Sequence, residues 1–209
     1  MPPTATPQNR RKPRTWPFLT LFVSMLAVGA WFWPAAFATL AYNRTQILQG
    51  EWWRLITGHW VHFTTSHLFW DLAILVPAGA LLERRNPAAL GCTILFSPLA
   101  ISFALLAFDP AMAIYAGISG VAAGVLVALA VHGLCTEPGT RWVWLAVLAL
   151  FGLKVVLETS RGGQPLNPDL VAQGVRSVPL AHVVGAAVGA GAVLFARRQN
   201  KQDSTANER

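Results

Sequence analysis

The stretch Ala111–Leu134, AMAIYAGISGVAAGVLVALAVHGL, decides the class of this protein. Its only polar side chains are Tyr115, Ser119 and His132, and the rest gives water nothing to solvate. A soluble helix keeps a polar face, whereas one that is apolar on all sides belongs in a core or a bilayer. Its length also suits a bilayer, whose hydrocarbon core of about 30 Å needs roughly 20 apolar residues.

Five further windows resemble it: Pro17–Ala41, Phe63–Leu82, Ala88–Phe108, Trp142–Leu157 and Val178–Ala196. The expectation is an all-α membrane protein of six transmembrane helices filling residues 17–198. Polar tails over 1–16 and 199–209 are expected to be unstructured. Composition agrees: of 209 residues 54% are hydrophobic and 12% charged, the latter half of the roughly 25% usual in soluble domains. Mean hydropathy is +0.47. The net charge of +7 falls in short blocks between apolar runs, which excludes a phosphate-tracking, DNA-binding face. Cys92 and Cys135 have neither disulfide-framework nor metal-site spacing.

Charge sets the expected orientation. One side of a six-span arrangement carries Arg10, Arg11, Lys12, Arg14, Arg84, Arg85, Arg141, Arg197, Arg198, Lys201 and Arg209, and the other only Arg44, Arg54, Arg161 and Arg176. Both termini are therefore expected in the cytoplasm, with the connections 43–61 and 158–177 outside. The first run exceeds the 7–15 residues of a signal-peptide core, so it reads as an uncleaved anchor.

Ionisable groups at membrane depth are costly and mark functional candidates. They are His59, His62 and His67 with Asp71, the Gly117–Gly120 step, the pair Lys154/Glu158, and His182. Counted from the outer ends of their spans, Ser119 and His182 lie at similar depth on helices that run the same way. Gly120 and Gly124 on one, and Gly185 and Gly189 on the other, have the small-xxx-small spacing that permits close approach. A hydroxyl and an imidazole so placed can act as nucleophile and base. Taken singly, a serine between glycines is a packing residue and a buried histidine a hydrogen-bonding one; the coincidence of both with a second polar cluster favours chemistry. His59 and His62, spaced i, i+3, could suggest a metal, but Trp60 and Phe63 supply no further ligand, and neither metal nor cofactor is expected. Glu83 with Arg84 and Arg85 reads as a helix-end anchor, and Lys154/Glu158 as an ion pair or a loop-fixing contact, with substrate docking as the alternative. Most of the nine tryptophans fall near span ends, where they suit the interface.

Together these residues resemble the rhomboid family of intramembrane serine proteases. Trp53-Arg54, His62-x4-His67-x3-Asp71, Gly79-x3-Glu83, Gly117-Ile118-Ser119-Gly120 and Ala181-His182-x2-Gly185-x3-Gly189 follow its motifs in order. Gly50–His59 and Lys154-x3-Glu158 look like the rhombosortase branch. The resemblance implies a rhomboid-like bundle, a Ser119–His182 dyad without a carboxylate third member, and an oxyanion site of the Ser119 amide, His67 and Asp71. It implies substrates whose C-terminal anchor comprises a Gly-Gly motif, an apolar helix and a basic tail. Cleavage is placed on the extracytoplasmic side of a bacterial inner membrane. Two positions depart from the pattern. Asp71 stands where the family has Asn, and an ionised carboxylate would repel an oxyanion whereas a protonated one would donate to it. Ala123 stands where a tyrosine often supports the histidine. The competing readings are an inactive rhomboid-like protein that binds transmembrane helices, and a small transporter, for which paired broken helices are lacking.

Overall fold

Proline interrupts the first apolar run. In the computed structural model, which describes residues 16–207, α1 covers Phe18–Trp31 and is followed by a turn over 32–35. Pro34 has no backbone N–H and disfavours helix in the residue before it. The chain restarts as the short α2, Ala36–Leu40. At 1.5 Å per residue, the 14 residues of α1 reach about 21 Å. The single first span expected over 17–41 is thus two pieces.

The other windows give five helices long and apolar enough to cross a membrane. After β1 (Tyr42–Asn43), α3 (Arg44–Leu48) and α4 (Arg54–Thr57) come α5 (Thr65–Arg85) and α6 (Pro87–Phe108). β2 (Ile114–Tyr115) leads into α7 (Ser119–Thr136), then α8 (Arg141–Ser160), α9 (Pro168–Ala172) and α10 (Pro179–Asn207). This is an all-α, multi-pass membrane architecture. The segment beyond residue 198, expected to be unstructured, continues the α10 backbone as helix to Asn207. The basic residues Arg10, Arg11, Lys12, Arg14 and Arg209, and the N-terminal tail, lie outside the described residues.

Burial assigns the layers. The central helix is α7, 61% buried over its membrane window, whereas α8 stands at the rim with 6%. Exposed large side chains such as Phe69, Phe96, Leu150, Leu153 and Phe195 face the apolar surroundings. α7 and α10 run parallel at glycine-to-glycine contact. A Cβ at Gly120 would lie 3.1 Å from the Ala181 carbonyl and one at Gly124 2.6 Å from that of Gly185. Cβ atoms at Gly185 and Gly189 would overlap the carbonyls of Gly120 and Gly124. The small-residue spacing read from the sequence therefore brings the two backbones together, as expected.

Two motifs turn out to hold the frame. Glu83 accepts from Leu19 N at 2.8 Å, Thr20 N at 2.9 Å and Thr20 Oγ1 at 2.7 Å. It therefore satisfies orphan amides at the start of α1, rather than serving only as an end anchor beside Arg84 and Arg85. Gly79, one turn earlier, leaves room for Thr20, whose Cγ2 would be 2.8 Å from an added Cβ. Arg54 is buried and donates to Glu51 Oε2 at 2.6 Å and to the carbonyls of Ala41 and Ala38 at 2.8 and 2.9 Å. With Trp53 Nε1 on Thr39 O and Thr57 Oγ1 on Leu40 O, it ties the 50–59 segment to the end of α2.

Candidate active site

Ser119 is delivered by a strand, not by a helix. Tyr42 and Asn43 pair antiparallel with Tyr115 and Ile114, and Gly117 N donates to Gly58 O at 3.3 Å. Residues 111–118, expected inside the fourth span, are therefore extended chain and turn, and Ser119 is the first residue of α7 rather than the eighth of a helix. Its hydropathy misleads because the buried half, 115–118, needs apolar side chains as much as a lipid-facing helix does. The consequence favours chemistry. The Ser119 amide is among the N–H groups that a helix start leaves without intrahelical partners, and it lies at the positive end of the helix dipole.

Gly117 makes the turn into α7. Its φ of +114° is a conformation that side-chain-bearing residues avoid. A Cβ there would sit 2.6 Å from His67 Cε1, 2.7 Å from His67 Nε2 and 3.2 Å from Asp71 Oδ2. The turn before the serine and the polar pair on α5 are thus in direct contact.

The sequence explains that pair. Thr64 caps α5, its hydroxyl accepting from His67 N at 3.1 Å, and the i, i+4 spacing puts His67 and Asp71 on one face. His67 stacks on Phe63 with ring centroids 6.0 Å apart and meets His62 edge-on at 5.1 Å. Asp71 Oδ2 lies 3.3 Å from His62 Nε2 and 3.5 Å from His67 Nε2. His62 Nε2 also accepts from Ile118 N at 3.4 Å. An acid oxygen facing two imidazole nitrogens in a buried site is favourable only if a proton lies between them. Asp71 Oδ2 thus faces two imidazole nitrogens and makes no hydrogen bond to another described residue. His59 belongs elsewhere: its Nε2 bonds Pro98 O at 3.1 Å and Ser102 Oγ at 3.2 Å on α6.

His182 is buried on the fourth residue of α10, next to Ala181 at the Gly120 contact. Its Nδ1 lies 3.3 Å from Lys154 Nζ and 3.4 Å from Glu158 Oε2, both on α8. A carboxylate thus stands beside the histidine for which the resemblance implies a dyad with no carboxylate third member. Lys154 and Glu158 do pair, at 2.8 Å, and Glu158 does fix a loop by accepting from Ser177 Oγ at 2.7 Å. Their approach to His182 was not read from the sequence. The available signal was an i, i+4 ion pair within a span near its end, costly unless something polar faces it.

Ser119, His182, His67, Asp71, Lys154 and Glu158 all line one cavity of about 1410 Å³. Its other walls include Trp70, Ile74, Leu126 and Phe151, so a polar floor meets apolar sides. Nδ1 of His182 faces the α8 pair, and His182 and Ser119 line the same cavity. Ala123 lines the same space, and the polar contacts to the His182 ring come from α8.

A search of curated proteins finds no match. A family model described as the Rhomboid domain matches residues 49–199, well over half of the chain. That range contains the Trp53-Arg54 loop, the α5 histidines, the Ser119 turn and His182, with the glycines that bring α7 and α10 together. The chain belongs to the rhomboid family, whose members are typically intramembrane serine proteases.

Proposed function

We propose that this protein is an intramembrane serine protease of rhombosortase type, cutting the C-terminal transmembrane anchors of exported proteins near a Gly-Gly motif. The observation that carries the reading is the shared cavity, in which a serine at a helix start, a buried histidine and the His67/Asp71 pair converge. Ser119 Oγ attacks the scissile carbonyl and its proton passes to His182 Nε2. The oxyanion is met by the Ser119 amide with His67 and a protonated Asp71, preorganised where little water competes. The imidazolium returns its proton to the leaving amine, and water releases the acyl group from Ser119.

A helix shields its own peptide bonds, so the substrate must unwind to reach the serine. Glycine costs about 1 kcal/mol per residue in a helix relative to alanine, so a Gly-Gly pair lowers that cost and lets two backbones approach. The apolar walls of the cavity suit the anchor that follows. The charge asymmetry supports six membrane segments, with α1 as the shortest, and cytoplasmic termini in a bacterial inner membrane. Ser119 then opens to the extracytoplasmic side, where exported substrates lie.

The test is labelling by a fluorophosphonate serine probe, together with cleavage of a Gly-Gly-anchored reporter in vesicles. The wild type should label and cleave, and Ser119→Ala and His182→Ala should do neither. Equal labelling of all three defeats the proposal. Capture of the anchored reporter without cleavage or labelling would instead indicate the inactive, helix-binding alternative.

A further inference from the structure

We infer that Glu158, held by Lys154, is the positioning residue of His182, making the apparatus a Ser119–His182–Glu158 relay rather than a dyad. The inference rests on the proposed protease reading and adds a residue to it.

Three groups converge on one atom. Glu158 Oε2 accepts from Lys154 Nζ at 2.8 Å and from Ser177 Oγ at 2.7 Å, and lies 3.4 Å from His182 Nδ1. A carboxylate oxygen can take several donors, and it has nothing to give. The ring nitrogen facing an ionised Glu158 must therefore carry the hydrogen, which fixes the tautomer with the lone pair on Nε2. This is the tautomer a general base needs, since Nε2 has to take the Ser119 proton. In the opposite tautomer Lys154 Nζ, 3.3 Å away, would donate to Nδ1 and Nε2 would hold the hydrogen. Such a ring cannot accept from serine. Lys154 is closer to Glu158 than to Nδ1, so its charge serves chiefly to keep the carboxylate ionised, and an ionised carboxylate beside Nδ1 favours the productive form.

The same carboxylate fixes where the ring stands. Gly163 N donates to the Glu158 carbonyl at 2.8 Å, and Ser177 N to the Gly163 carbonyl at 2.8 Å. With Ser177 Oγ on its side chain, Glu158 closes the 158–177 connection two residues before α10 begins. Only four residues separate Ser177 from His182. The position that a tyrosine on α7 would support is left by Ala123, and the support comes from α8 instead. During the reaction the Ser119 proton moves to Nε2, the Nδ1 hydrogen stays between the ring and Glu158, and the charge on the imidazolium is balanced by the buried carboxylate.

A loop-fixing glutamate would alter stability; a positioning one also sets the tautomer and kcat. The experiment uses the full chain in bilayers with ¹⁵N-labelled histidine, the His182 signals being identified by their loss in His182→Gln. The wild-type ring should be protonated on Nδ1. Glu158→Gln should shift it towards Nε2–H and lower kcat for the anchored reporter by roughly 10²–10⁴-fold at unchanged KM. Glu158→Asp, which keeps the charge, should recover part of that loss. An unchanged tautomer in Glu158→Gln, or unchanged kcat, overturns the role while leaving probe labelling of Ser119 to decide the protease reading. If Glu158→Gln does not fold, the wild type decides alone, since a ring protonated on Nε2 overturns the inference. A wild type that neither labels nor cleaves defeats the protease reading instead, and the tautomer still reports whether Glu158 sets the ring.

Discussion

Gly117→Ala is the sharpest probe of how the turn, the serine and the α5 pair depend on one another. The backbone at Gly117 has φ +114°, and placing a side chain there costs on the order of 1–3 kcal/mol. The added Cβ would also meet His67 Cε1 at 2.6 Å, where an ordinary contact is 3.4 Å or more. Relief by moving His67 is hindered, because that ring is buried, stacks on Phe63 and abuts His62. Overpacking of this kind costs roughly 1–3 kcal/mol, so the total is about 2–6 kcal/mol. For a chain of this size that corresponds to a fall in Tm of roughly 5–25 °C. A displaced oxyanion donor should in addition lower kcat/KM by about 10²–10³-fold. Thermal unfolding in detergent and reporter cleavage in vesicles measure the two effects separately. An alanine variant with wild-type Tm and wild-type turnover would refute the reasoning, because neither the strained turn nor its contact with His67 could then be real.

Three other outcomes follow from the geometry. Glu83→Ala strips three hydrogen bonds from the start of α1 and should cost about 2–4 kcal/mol in thermal stability, while the remaining folded protein labels at Ser119 at the normal rate. Asp71→Asn should keep or raise activity, since an amide donates at every pH, whereas Asp71→Ala should lose about 10–100-fold; an alanine variant as active as wild type removes Asp71 from the oxyanion site. His59, outside the spans, is held down to about 4 by burial, partly offset by its bond to Pro98 O, against 6.5 when unfolded. The unfolded chain therefore binds more protons between those values. Stability is complete above about pH 6.5 and declines as the pH falls towards 4, by about 2 kcal/mol between pH 7 and pH 5. Chemical unfolding at the two pH values checks this, and His59→Gln should shrink the difference.

Much of the frame was legible because it is written locally. Long apolar windows give α5, α6, α7, α8 and α10 to within a few residues at most ends, since a helix that must hide in lipid shows its length directly. The glycines of α7 and α10 announced a close parallel contact through their four-residue spacing, and the structure has it. Hydropathy failed where one signal has two causes. Residues 111–118 are apolar yet do not span: Tyr115, Ala116 and Ile118 are buried in the turn beside the Tyr42–Asn43 strand, and so Ser119 begins a helix instead of interrupting one. Pro34 was in plain view, yet the run around it is apolar throughout and conceals the break.

The sequence by itself thus determined which segments leave water and which polar residues are left among them, because transfer free energy and helical periodicity are properties of neighbouring residues. Only the tertiary structure decided that Glu83 caps α1, that Gly117 presses on His67, and that Glu158 faces His182. Each of these joins helices through atoms a few ångströms apart but many residues distant, and such contacts are chosen by how side chains of particular size and charge fit once the helices are packed.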